Sequence, residues 1–286
     1  MAIILLLAAC GGGAGDASDQ GQTPSIPEAP SDEQVMRIGD RVFSIPSPAQ
    51  TALAIREAGL PYRKDLPLPL ESASTSAGKT NQATLLGMLG ADLAYVTVHQ
   101  DGQRAMATLQ AIEKVGNQLD LGNAFDKSLL DGFKKNLGNE DSLLLFSGTA
   151  FRAADRYLKE NDRDDVGVLV LAGGWIESLH LVLNDAEAVN VRTLVHRIGD
   201  QRGTLDGLVA LLEKQADVDA EGLLKGLRGL QGQFSGIKRA YTYEEPVTDA
   251  SARTTYINSK SSVEIPPATI DAIREQVNAL RAQIIA

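Results

Sequence analysis

Apolar positions recur at helical spacing through most of the chain. Leu85, Leu86, Leu89, Leu93 and Val96 share one helix face, and Met106, Leu109, Ile112, Val115 and Leu119 repeat the pattern, with the three-to-four-residue period of an amphipathic helix. Gly102 and Gly122 punctuate these runs. Ser47-Pro48 reads as an N-cap with proline in the first turn, opening a helix through Ala58 that Gly59 and Pro61 stop. Residues 61–70 are broken by prolines and read as extended. Asp126 predicts the cap of a short helix carrying Leu129, Leu130 and Phe133, and Asn139 that of a longer one through about Asn161, with Leu143, Phe146, Ala150, Ala154 and Leu158 as its stripe.

Val166 to Leu183 is almost wholly apolar. The spacing of Val170, Trp175, Ile176, Leu179 and Leu183 predicts a helix buried on most sides. It is long for a strand and reads as too short and polar for a membrane span. Two helices are predicted after it, over about 190–215 and 219–241. The chain then changes character: 241–265 carries Tyr, Thr, Val and turn residues, which predicts a small hairpin or extended strap. Pro266-Pro267 opens a last amphipathic helix to 284, with Ile270, Ile273, Val277, Leu280 and Ile284 on its apolar face. No 34-residue period supports a tetratricopeptide array. The fold class expected is mainly α, an irregular bundle of antiparallel helical hairpins with a small extended or β segment near the C-terminus, built as a single domain over 35–286.

Composition agrees with helix. Aromatic residues are only 5% of the chain, and Leu and Ala, both strong helix formers, dominate. A net charge of -10 argues against nucleic acid as a partner, because the field repels phosphate.

The first ten residues change the picture more. Ala2 to Ala9 is an apolar run with small residues directly before Cys10, the layout of a signal peptide that ends at its cleavage site. Leu7-Ala8-Ala9-Cys10 resembles the bacterial lipobox, which implies that residues 1–9 are removed and that Cys10 carries the lipid. Acyl chains contribute about 0.8 kcal/mol per buried CH₂, and stable anchoring takes more than one chain. Residues 10–34 are rich in Gly, Ser, Asp, Gln and Pro and read as a flexible tether. Gly11 rather than Asp after the cysteine favours the outer over the inner membrane, facing the periplasm or the surface, by analogy with enterobacterial sorting.

Candidate chemistry is sparse. Glu177 and His180 stand three apart on a predicted buried helix, the spacing of one arm of a di-iron site. The chain holds no second Glu-x-x-His, so a polar pair inside the bundle is the reading preferred and no metal is assigned. Asp92, Tyr95 and His99 share a face at i, i+3 and i+7. With Trp175, Glu177 and His180 they form a candidate polar pocket. Gly78-Lys79-Thr80 looks like the end of a phosphate-binding loop, but Ala73 stands where its upstream glycine is needed. No nucleophile elbow or dinucleotide fingerprint occurs, so no catalytic residue, cofactor or enzyme activity is assigned. Gly222, Gly226, Gly229, Gly232 and Gly236, with Gly199, Gly203 and Gly207 before them, predict close approach of those two helices or a groove that opens and closes as they slide, since each interior glycine costs roughly 0.5–1 kcal/mol against alanine. Gly173-Gly174, mid-helix beside Trp175, similarly predict room for a neighbour's bulk.

The segments GADLAYVTVHQD (90–101), LVLAGGWIESLH (169–180), FSIPSP (43–48) and INSKSSVEI (257–265) together resemble a family of helical lipoproteins from Bacteroidetes-type Gram-negative bacteria. The likeness spans roughly 43–284. It implies an anchored helical domain and carries no functional residues across. The function expected is a lipid-anchored envelope protein that binds or helps assemble another envelope protein. The alternative is a small-ligand sensor or carrier with its pocket inside the bundle.

Overall fold

The computed structural model describes the backbone of 33–38 and 41–46, nearly all of 48–121 and 163–286 apart from 216–218, and a few helical residues between 131 and 161. Cys10, the leader and most of the tether, the Ser47 cap, the Asp126 helix and most of the Asn139 helix lie outside the described residues. Asp32–Ala286 form one unit of contacts. It is mainly helical, with nine α-helices among the described residues.

An antiparallel hairpin comes first, β1 (Glu33–Ile38) on β2 (Arg41–Pro46). It was not expected from the sequence, and β1 begins two residues inside the predicted tether. Helix α1 (Pro48–Glu57) opens on its proline and is closed by Gly59 at φ +76, a left-handed conformation that glycine adopts without strain. The four-residue α2 (Ser72–Thr75) follows the proline-broken segment. Helices α3 (Lys79–Val98) and α4 (Gly102–Gln118) are joined at Asp101, whose carboxylate accepts from the Arg104 N–H at 3.0 Å and so caps α4.

Helix α5 (Asp164–Leu183) is the other half of the core. By length and a mean hydropathy of 1.8 it does reach the level of a membrane span, contrary to the sequence expectation, but 78% of that window is buried inside the protein. It is a core helix, and so is α3, where every residue from Ala83 to Val98 is buried. The predicted stripe on α3 therefore understates its burial. A helix enclosed on all sides needs no polar face.

The two core helices meet backbone to backbone. A methyl group at Gly87 would fall on the carbonyl oxygen of Val170, and one at Gly173 on that of Thr84. Gly174 admits Pro48 Cγ, 3.3 Å from where its own Cβ would stand, and so seats the start of α1.

The helix predicted over 190–215 is broken. A 3-10 turn (Ala188–Asn190) leads to α6 (Arg192–Asp200) and α7 (Arg202–Leu212), parted at Gln201. Glycines at 199, 203 and 207 weaken helix continuity there. The helix predicted over 219–241 is shorter, α8 (Glu221–Phe234). Phe234 is fully buried beside Trp175, with ring centroids 6.4 Å apart, and Gly236 follows. The glycine stripe faces the last helix, α9 (Pro267–Ile285), rather than the preceding one: Gly222 admits Gln283, Gly226 admits Leu280, and Gly229 admits Gln276. All five apolar positions predicted for α9 are buried.

Between α8 and α9 the chain runs out and back as a β ribbon. β3 (Lys238–Thr242) pairs antiparallel with β6 (Lys260–Glu264), and β4 (Val247–Asp249) with β5 (Thr254–Tyr256). Asp249 organises the turn at the tip, accepting from the N–H groups of Ser251 at 2.9 Å and Ala252 at 3.1 Å.

Candidate functional site

Three of the six candidate pocket residues meet in the core. Asp92 from α3 and Glu177 and His180 from α5 are buried together, and Arg281 from α9 joins them. What they surround is the protein's own stretch 66–68, the buried part of the irregular segment 61–71, whose Pro61, Lys64, Asp65, Pro69 and Glu71 stay exposed. Such a segment brings unpaired backbone groups into a dry interior, and each needs a partner.

The cluster supplies those partners. The Leu68 N–H donates to Asp92 Oδ2 at 2.8 Å. Arg281 Nη2 donates to Leu66 O at 3.1 Å, and His180 Nε2 reaches the same oxygen at 3.2 Å. Arg104 donates to Leu68 O. At the segment's start the Arg63 N–H donates to Tyr95 Oη at 3.0 Å. Of the two side chains that resembled a metal arm, His180 meets the Leu66 carbonyl directly and Glu177 meets Arg281, which donates to the same oxygen. Among the described residues no group of three or more His, Cys, Asp or Glu side chains is placed to hold a metal.

Charge balance within the cluster is tight. Glu177 is 0% exposed, and Arg281 Nε donates to both of its oxygens, at 2.8 and 3.1 Å. Asp92 lies against the same carboxylate, and its Oδ1 is buried with no donor facing it. One guanidinium cannot neutralise two buried carboxylates, and like charges at this range cannot both ionise. Burial first, and Glu177 second, push the Asp92 carboxyl well above its ordinary range. We assign the shared proton to Asp92, so that its Oδ1–H donates to Glu177 and the orphan oxygen is satisfied.

His180 is held neutral. Burial pushes its pKa down, more than the neighbouring Glu177 carboxylate pulls it up. Its Nε2 lies 3.2 Å from Leu66 O, and its Nδ1 lies 2.9 Å from Asn278 Oδ1 and 3.0 Å from Asn184 Nδ2. Asn184 and Asn278 exchange reciprocal amide hydrogen bonds at 3.0 and 2.9 Å, tying α5 to α9 beside the ring.

The Asp92 assignment predicts a pH dependence. A carboxyl whose folded value is raised contributes stability that is complete below its unfolded value, about pH 4, and declines as pH rises toward the folded value. Asp92→Asn keeps an acceptor for Leu68 and gives Glu177 a permanent N–H donor. Variant and parent should melt together near about pH 4, and the variant should gain on the parent as pH rises to about 8. The histidine contributions are common to both proteins and cancel in the difference. Thermal melts across that range check it, and a difference that does not widen with pH overturns the assignment.

The other three candidates sit apart from the carboxylates. Tyr62, Tyr95 and His99 form a ring cluster: Tyr62 stacks on His99 at 5.2 Å and 17°, Tyr95 meets His99 edge-on at 4.7 Å, and Tyr62 and Tyr95 are tilted at 51°. Tyr62 donates to Asp101 Oδ2 at 3.1 Å, which ties the irregular segment to the α4 cap. Burial lowers the His99 pKa, with Arg56 adding to it. Trp175 leaves the set altogether. Its Nε1 donates to Gln201 Oε1 at 3.0 Å, and its ring floors a separate cleft with Leu179, Val182, Leu194 and Ile198. Sequence reasoning missed Arg281 and Asn278, because nothing local to α9 distinguishes them from solvent-facing polar residues.

A second feature is exposed. Among the described residues the large hydrophobic side chains open to solvent are Tyr241, Tyr243, Val247, Tyr256 and Ile257, from 52 to 78% exposed, and all five are on the ribbon. Its base is fastened to α6: Val263 packs on Gly199, Arg239 pairs with Asp200 at 2.6 Å, and Ser261 Oγ lies 3.3 Å from His196 Nε2. Beyond that base a crossed pair of hydrogen bonds between Ser259 Oγ and the Glu244 backbone, both 3.1 Å, joins the two ribbon segments. Comparison with known proteins finds no match for the chain among family models, curated proteins or solved structures.

Proposed function

We propose that the chain is a lipid-anchored cell-envelope protein, tethered through Cys10, whose helical body presents the ribbon for docking to other envelope protein. The anchor rests on the leader and its cysteine, and the outer membrane is the expected site. Docking rests on one observation, the confinement of the exposed large hydrophobic side chains to that ribbon. Isolated exposed apolar residues are ordinary, but several on one projecting element with open strand edges mark an interaction surface. Tyrosine suits that role, since it offers a large rigid apolar face with a polar tip. The alternative, a ligand carrier, has less support, because the donors and acceptors of Arg281, His180 and Asp92 are spent on the chain's own segment.

Cysteine labelling in native membranes tests docking. An acylated Cys10 is inert to maleimide, so Tyr256→Cys introduces the reactive thiol. The expected result is fast labelling of the purified protein and protection of at least about tenfold in membranes of its own host. Equal rates in both settings would end the docking proposal. The mass of the same purified protein reads the anchor: loss of residues 1–9 with acyl groups on Cys10 is expected, and an intact unmodified leader rules the anchor out.

A further inference from the structure

The ribbon's base carries a pattern that docking in general does not require. β3 and β6 pair only with each other among the described residues, so each leaves one edge of N–H and C=O groups open. A two-stranded ribbon is marginal by itself, and natural proteins cover or blunt such edges. The residues along the β3 edge are Lys238-Arg239-Ala240-Tyr241-Thr242-Tyr243-Glu244. Laid antiparallel on its own copy about a two-fold axis through Tyr241, this stretch is self-complementary. Lys238 then falls opposite Glu244, Arg239 opposite Tyr243, Ala240 opposite Thr242, and Tyr241 opposite itself.

Both faces profit from that register. Side chains alternate along a strand, so Arg239, Tyr241 and Tyr243 share one face and Lys238, Ala240, Thr242 and Glu244 the other. The first face becomes a stack of guanidinium on tyrosine, tyrosine on tyrosine, and tyrosine on guanidinium, all favourable cross-strand pairs. The second brings Lys238 against Glu244, whose carboxylate already holds Lys260 at 2.9 Å and would then be shared, just as Arg239 on the first face keeps its pairing with Asp200. Centred on Ala240, Lys238 meets Thr242 and Glu244 meets Gly236; centred on Thr242, Arg239 meets Glu245 and Tyr241 meets Tyr243, but Lys238 meets Pro246, which has no N–H to give the ladder.

We infer that the partner at this edge is a second copy of the chain, the two ribbons joining through β3 into a four-stranded antiparallel sheet. The inference rests on the reading of the ribbon as the docking element, and it leaves the distal segment around Val247, Tyr256 and Ile257 free for a different protein. A two-fold axis closes the assembly at two copies, which is how an exposed edge is used without growing a filament. Side by side on a membrane, two copies would also double the lipid anchors holding the assembly.

Disulfide trapping in the full chain carrying Cys10→Ser tests the register. In either kind of antiparallel pair, opposed residues have Cα atoms about 4.5–5.5 Å apart, within disulfide range. Tyr241→Cys, on the axis, should therefore oxidise to a covalent dimer. Tyr243→Cys should not, because its copies stand four residues apart along the paired strands, about 14 Å. Sedimentation of the Cys10→Ser chain without an added cysteine should give twice the monomer mass. A monomer at all concentrations with no trapping at Tyr241, or equal trapping at both positions, overturns the inference. If that happens while Tyr256→Cys stays protected in membranes, the second-copy inference alone falls. If Tyr256→Cys labels freely as well, the docking reading falls with it.

Discussion

Arg281→Met is expected to destabilise the protein by about 3–5 kcal/mol, the usual cost of removing one partner from a buried ion pair. Glu177 has no exposure, and the guanidinium that faces it is also a donor to Leu66 O. Without Arg281 the carboxylate is left in the core without its cation. Combining Arg281→Met with Glu177→Leu removes the stranded charge, and most of the stability should return, as it does when buried pairs are replaced by apolar groups. Denaturant melts of the two variants decide the matter. A single-variant loss under about 1 kcal/mol would mean that water reaches Glu177.

Gly173→Ala comes next in expected effect. The new methyl would be driven into the Thr84 carbonyl, with its carbon only 2.8 Å away, and both belong to backbone that cannot step aside. Relief requires α5 to move off α3, which opens the contact around which the rest of the core is packed. Overpacking costs about 1–3 kcal/mol when side chains can shift, and a backbone obstruction belongs above that range. Melting should fall by about 10 °C, taking roughly 2–4 °C per kcal/mol for a chain of this size. Gly232→Ala is the control: its Cβ meets nothing within 4 Å, so the same change there should stabilise by about 0.5–1 kcal/mol through helix propensity. Equal effects at the two positions would show that propensity, not contact, governs these glycines.

These two sites show where sequence reading works and where it stops. Gly173 was conspicuous because glycine inside an apolar helix is costly and calls for a compensating contact; that the contact is the Thr84 carbonyl needed the structure. Glu177 and His180 were legible as a polar pair on a buried helix, because buried polar groups must be partnered. Arg281 was not, being more than a hundred residues distant and set in a helix whose polar residues look solvent-facing. Trp175 was grouped with Glu177 by closeness in sequence, yet residues two apart on a helix point about 160° apart, and the two face different partners.

The sequence by itself determined the helical class, the start and stop of the first helix and the start of the last, the buried character of 166–183, the ribbon before the last helix and that helix's apolar face. These depend on period, caps and breakers, which act over a few residues. Only the tertiary structure decided what each polar or glycine position is for. The irregular segment 61–71 sets the partners of Asp92, Tyr95, His180 and Arg281, and helix approach sets the need for Gly87 and Gly173. Those are pairings across long sequence separations, chosen by the packing of the whole core, and no local pattern encodes them.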